Sequence, residues 1–192
     1  MTPPVPPPIR IRKTATHRVK KVRPSKVHKK VRRELSAGGV AVRQERGQWV
    51  VALLKTEHRR GAVWVLPKGH VETGKREAIA DAAKREVQEE AGIMDLIVKE
   101  QLGTTRFVFQ AEQALVKKTV HYFLMVTTQQ ELHPQHEEGF LEAGWFPLGL
   151  ASTMLEYDTD QNIVAKAQQI LEGKPMPQKP FTKPHRSIRI HS

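Results

Sequence analysis

Residues 77–92 read EAIADAAKREVQEEAG, the best helix in the sequence, and its two faces constrain what can surround it. Alanine is abundant, Ile79, Ala83 and Val87 fall on one stripe, and Gly92 supplies a C-terminal stop. Glu86, Glu89 and Glu90 stand at i, i+3 and i+4, so on a helix they share one face. Like charges at these separations repel by roughly a few tenths of a kcal/mol per pair. A chain tolerates that where the face is merely solvated or where a cation sits on it.

The segments around this helix read as strands. LSAGGVAV and WVVALLK are short apolar runs separated by RQERGQ, a turn. AVWVLPKGH follows, then the loop HVETGKR. After the helix, LIVKEQLGTTRFVFQ and KKTVHYFLMVTTQ are strand-like, EAGWFPL is another short strand, and TDQNIVAKAQQILEG is a closing amphipathic helix begun by Thr159 or Asp160 and ended by Gly173. Strands, helix, strands, helix without strict βαβ alternation favours a mixed sheet between helices, an α/β class fold.

Charge divides the chain. Residues 1–33 hold 12 Lys/Arg and no acid, and residues 173–192 hold five Lys/Arg and no acid. The middle keeps 15 basic groups against all 20 acidic ones, so the overall +12 hides a domain of net −5. The 13 prolines follow the same division, six in the first arm and four in the last. The expected organisation is a basic, Pro-rich, disordered arm over 1–33, a globular domain over 34–172, and a basic tail over 173–192. The arm's PPVPPP opening favours polyproline II, and its basic run would attract RNA or another polyanion without sequence preference. With no cysteine there is no disulfide, thiolate metal site or cysteine nucleophile. No apolar run approaches the ~18 residues that span a bilayer, so the expectation is a cytoplasmic protein with no membrane contact.

From Glu77 to Ile93 the chain spells E-x7-R-E-V-x-E-E-x-G-I, with Gly69 upstream in PKGH. This resembles the Nudix box, the loop–helix–loop signature of hydrolases that cleave nucleoside diphosphates linked to another group. The usual box begins G-x5-E, whereas Gly69 to Glu77 is G-x7-E, which places two further residues, Lys75 and Arg76, in the loop before the helix. WVLPKGHVE, KTVHYFLM and EEGFLEAGWFPL are similar to the bacterial diadenosine polyphosphate (Ap4A/Ap6A) hydrolase branch of that family. The resemblance covers roughly residues 34–172. It implies the Nudix fold, an α/β/α sandwich around a mixed β-sheet, and a pyrophosphohydrolase in which water attacks phosphorus.

The residue types suit that chemistry. A diphosphate linkage needs several negative oxygens neutralised and a water activated, and Mg²⁺ or Mn²⁺ on carboxylate oxygens does both. The resemblance implies Glu86, Glu89 and Glu90 as metal ligands, with Glu89 or Glu90 nearest the base role, Gly69 offering its carbonyl, and Arg85 with Glu77 forming an ion-pair network that orients the box. Among Glu137, Glu138 and Glu142, Glu138 leads as a further ligand. On the substrate side, Lys68, Arg106 and His121 are candidates for phosphate, and Tyr157 is placed like an aromatic that stacks on adenine. A small-molecule nucleotide is the expected substrate. The rivals are hydrolysis of oxidised purine triphosphates, inositol pyrophosphates or capped RNA ends and, outside enzymes, an RNA- or ribosome-bound module that senses nucleotide.

Overall fold

Strand β1 (Lys30–Glu45) organises the sheet because it pairs along both edges. At its C-terminal end a two-residue turn, Arg46 at φ 49° and Gly47 at φ 79°, returns the chain antiparallel as β2 (Gln48–His58). Positive φ at both positions is the geometry that matches strand twist in a tight hairpin, and Gly47 adopts it without steric cost. Along its other edge β1 runs parallel to β6 (Ala114–Val126), from the Lys30–Ala114 pair to Val42–Val126. β5 (Ile97–Gln110) closes that side antiparallel to β6. On the opposite side β2 carries β3 (Gly61–Val65) and β7 (Phe140–Pro147), while β4 (Lys68–His70) pairs with Ser36–Gly38 of β1. One parallel pair among antiparallel ones makes the sheet mixed, as the element order predicts. The computed structural model describes residues 30–58, 61–111 and 114–173.

Strand alternation sends side chains into two separate cores. Ala37, Ala41, Ala52, Leu54 and Met125 meet helix α1 (Ile79–Ala91) through Ala83 and Val87. Val40, Val42, Val51, Leu53, Tyr122 and Leu124 meet α2 (Leu148–Met154) and α3 (Asp158–Leu171) through Ala151, Ile163, Val164 and Ala167. The result is an α/β/α sandwich. The small residues of SAGGVAV fit the close approach of α1: a Cβ on Gly39 would stand 2.9 Å from Val87 Cγ2 and from Met125 Cε.

Several boundaries differ from the sequence expectation. Residues 30–33, expected in the arm, belong to β1, because parallel pairing to Ala114–Lys117 satisfies a backbone that KVRR does not advertise as strand. Helix α1 starts at Ile79, leaving Glu77 in the preceding loop, and α3 starts at Asp158 with Tyr157 as its N-cap. Helix α2 was not anticipated, since LGLASTM carries no capping or charge signal and is fixed by packing. The remainder of the proposed arm, 1–29, and residues 174–192 of the tail lie outside the described residues. No helix among the described residues is long and apolar enough to cross a membrane.

Candidate active site

The site is built where β4 passes under α1. Glu86 points onto the backbone of Gly69 so closely that a Cβ there would lie 1.8 Å from its Oε2. Four residues on, the backbone N–H of Lys68 donates to Glu90 Oε2 at 2.7 Å. Both carboxylates are nearly sealed from solvent, at 8% and 5% exposure, although α1 sits at the surface of the sandwich. Burial, which penalises the charged form, raises Glu86 above its ordinary value and pushes Glu90 to about 8. In both, the charge of Glu138 adds to the upward shift.

Arg85 holds the outer side of this pair. Its Nε donates to Glu77 Oε1 at 2.8 Å and Nη2 to Glu77 Oε2 at 3.1 Å, a two-pronged grip. Nη1 donates to Glu86 Oε1 at 2.8 Å and to Glu89 Oε2 at 2.9 Å, and Nη2 also reaches the carbonyl of His70 at 3.0 Å. The hydrogen bond from Arg85 holds the Glu77 carboxyl below its ordinary value, and the same contact raises the guanidinium. One guanidinium therefore ties the loop, β4 and the acidic face of α1 together.

The longer Gly69-to-Glu77 loop is absorbed without disturbing that network. Thr73–Lys75 forms a short 3-10 turn closed by Arg76 at φ 55°, with Lys75 paired to Glu72 at 2.6 Å. The extra residues are thus folded into a local turn, and the N–H of Glu72 donates to Glu77 Oε2 at 3.0 Å. The helical register from Ile79 onward, which fixes Glu86, Glu89 and Glu90 relative to one another, is retained.

A second loop brings Glu138 to the site. Residues 127–139 run across the C-terminus of α1, where His133 N–H donates to Ala91 O at 2.9 Å and Gln135 N–H to Glu90 O at 3.1 Å. Gln129, marked by no motif, donates Nε2 to Gly92 O and Glu131 O and accepts from Met94 N–H. Glu138 itself is exposed, in the short 3-10 turn His136–Glu138.

The cationic and aromatic wall differs from expectation. Lys118 stands on the same sheet face as Tyr122 and Phe107. Burial and the charge of Lys68 lower its ammonium, against the opposing pull of Glu34, Glu90 and Glu86. The sequence pairs Lys117 with Lys118, and their alternation against Tyr122 is the signal that selects Lys118. Lys68 reaches back to the Leu66 carbonyl at 3.4 Å, and its charge acts on Glu90. Tyr122 is in the core, donating its hydroxyl to the buried Asp160 at 3.1 Å. Tyr157 lies edge-on to Phe107, ring centroids 6.4 Å apart, with its hydroxyl 3.4 Å from His58 Nε2.

Arg106 and His121, expected at phosphate, are on the other face of β5–β6. His121 pairs with Thr104 and Thr119 with Arg106, so both alternate away from Lys118 and Phe107. His121 Nδ1 lies 3.0 Å from Gln101 Nε2 and 3.2 Å from Thr104 Oγ1, and burial together with the Arg106 charge lowers it. The structure does not bring either residue to the carboxylates. Trp64 packs edge-on against Phe146 at 4.7 Å, and Trp145 donates Nε1 to Gln130 O, so both tryptophans serve as walls.

Among the described residues no three His, Cys, Asp or Glu side chains are already gathered as a closed metal shell. The donor set still fits a hard divalent ion. Glu86 and Glu90 are crowded, buried carboxylates on which the charge of Glu138 acts, and each keeps one oxygen without a hydrogen-bond partner among the described residues. Magnesium is commonly held by one or two carboxylates, with waters and substrate phosphates completing the octahedron.

Comparison with known proteins agrees with this geometry. The NUDIX domain model matches residues 32–167. A putative mutator protein, MutT4, of Mycobacterium tuberculosis (strain CDC 1551 / Oshkosh) is 32% identical over 169 residues; the match takes in 83% of this chain and spans 66% of that protein's length. The crystal structure of a Caenorhabditis elegans Ap4A hydrolase binary complex superposes with a TM-score of 0.60 at 26% identity, covering 73% of this chain and 98% of that one. The NUDIX domain of Shewanella oneidensis NrtR, complexed with ADP ribose, has the same fold, with a TM-score of 0.58 at 19% identity over 72% of this chain and 88% of that one.

Proposed function

The chain belongs to the NUDIX family and carries a Nudix pyrophosphohydrolase domain, and from that premise we propose that it hydrolyses the phosphate bridge of diadenosine polyphosphates. The observation that carries the reading is the pairing of the buried Glu86–Glu90 face with two lysines, Lys68 and Lys118, whose charges act within the same cleft. A cation-lined approach to an acidic helix suits a long anionic bridge. Tyr157 and Phe107 offer an apolar edge for a nucleoside base. The likeness to an Ap4A hydrolase supports the same class of substrate.

Glu86, Glu90 and the Gly69 carbonyl would hold a divalent ion, with Glu89 and Glu138 as further ligands. Such an ion neutralises phosphate oxygens and lowers the pKa of a bound water. The chain's own residues do the rest. Arg85 fixes Glu86 and Glu89 relative to Glu77. Glu90, seated on the Lys68 amide, or Glu89, takes the proton of the attacking water. Lys68 and Lys118 draw the phosphate chain into line, and two phosphate-terminated products leave. The relative described as a putative mutator protein favours, as a second reading, removal of oxidised purine triphosphates from the nucleotide pool.

The test is hydrolysis of diadenosine tetra-, penta- and hexaphosphate, 8-oxo-dGTP, ordinary NTPs and a pyrophosphorylated inositol with Mg²⁺ or Mn²⁺, beside Glu90→Gln. Dinucleotide turnover lost in Glu90→Gln is the expected result. Turnover of 8-oxo-dGTP alone selects the second reading, and absence of metal-dependent turnover overturns both.

A further inference from the structure

We propose that the exposed face of the β1–β6–β5 ribbon, on the side carrying Arg33, Lys117 and Arg106, binds the phosphate backbone of a nucleic acid strand. Register places these cations together. Arg33 is directly across from Lys117, Lys117 is across from Val108, and Arg106 is across from Thr119, two residues further along the same face. Neighbouring strands are ~4.8 Å apart, so Arg33 and Lys117 are forced side by side, an arrangement that costs stability unless an anion relieves it. All three are exposed, as are the flanking Val31 at 50% and Val108 at 44%.

Nothing in the described structure neutralises them. Among the described residues no ion pair includes Arg33, Lys117 or Arg106. The one acid in the ribbon segments 30–35, 104–110 and 114–121 is Glu34. It alternates to the opposite face, where Arg32 pairs with it at 2.6 Å. The sequence flanking the described residues adds cations and no acidic side chain. Residues 1–29 carry nine Lys/Arg and no acid, and residues 174–192 carry five Lys/Arg and no acid.

A nucleic acid fits better than a compact acidic patch, because the cations of the face run on in sequence through Lys30 into the nine of residues 1–29. The three ribbon segments place their aromatic side chains, Phe107 and Phe109, on the opposite face, so contact is to phosphates rather than to stacked bases and is independent of sequence. This surface is distinct from the Lys68–Lys118 wall and stands whether or not the proposed hydrolysis does.

The experiment is binding of an unstructured RNA oligonucleotide to the full chain, followed by fluorescence anisotropy over a salt series. Each phosphate contact on a single strand contributes about 0.7 to the slope of log K against log salt. R33Q/K117Q should flatten that slope by about 1.4 with a thermal midpoint no lower than the parent's, since the like-charge repulsion is removed, and adding Arg106→Gln should flatten it by about 0.7 more. R33K/K117R should keep the original slope. An unchanged slope in R33Q/K117Q overturns the proposal. So does equal, equally diminished binding of polyglutamate, which would indicate an acidic protein surface. Salt-sensitive self-association abolished in R33Q/K117Q would assign the face to a second copy and overturn it as well.

Discussion

The carboxylate of Glu86 occupies the space where a side chain on Gly69 would begin, with Oε2 1.8 Å from the Cβ position. The glycine of β4 and the first glutamate of the acidic face are thus one steric unit.

Gly69→Ala should therefore separate fold from activity. The group in the way is the far end of a flexible side chain, so Glu86 swings aside and the sheet survives. A displacement of about 1 Å at a reacting centre costs on the order of 10²-fold in rate. The expected outcome is a thermal midpoint near that of the parent with hydrolysis down by about that factor. An active Gly69→Ala protein would show that Glu86 need not rest on β4.

Arg85→Lys should fail despite keeping the charge. An ammonium cannot reproduce the two bonds to Glu77 while also reaching Glu86, Glu89 and the His70 carbonyl. Arg85 is 28% exposed, so the loss in stability should be modest, about 1–2 kcal/mol by denaturant titration. Hydrolysis should fall much further, because the orientation of the acidic face is lost. Equal losses in stability and activity would assign Arg85 a purely structural role.

Glu90 gives the metal-free protein a specific pH response. Its carboxyl is raised from 4.5 to about 8, so the folded state keeps a proton that the unfolded chain releases. Stability attributable to Glu90 is then fully present below about 4.5 and declines as pH rises through about 8, by an amount on the order of a few kcal/mol. Denaturation in EDTA across that range should show a decline that Glu90→Gln flattens. Added Mg²⁺ at neutral pH should release protons from the parent protein and fewer from Glu90→Gln, because the ligand must be deprotonated to bind. Parallel curves for the two proteins would refute the assignment.

The sequence by itself determined the acidic helix, its register and its family. These rest on local spacing: three carboxylates on one helical face, an apolar stripe opposite, and a glycine at the stop, here Gly92 at φ 68°. The family resemblance also implied Arg85 and Glu77 as partners, and the guanidinium of Arg85 does grip that carboxylate. What only the tertiary structure decided depends on long-range pairing. Arg106 and His121 were candidate phosphate ligands in sequence, yet the β5–β6 register turned both to the far face and brought Lys118 to the cleft instead. A strand's neighbours choose which of its two faces is buried, and one residue's offset reverses every side chain. The parallel pairing of β1 with β6 likewise drew Lys30–Arg33 out of the basic arm and into the sheet. Local chemistry was legible because it is written at helical spacing; the cleft's wall was not, because Lys68 of β4 and Lys118 of β6 lie 50 residues apart and are placed only by strand pairing.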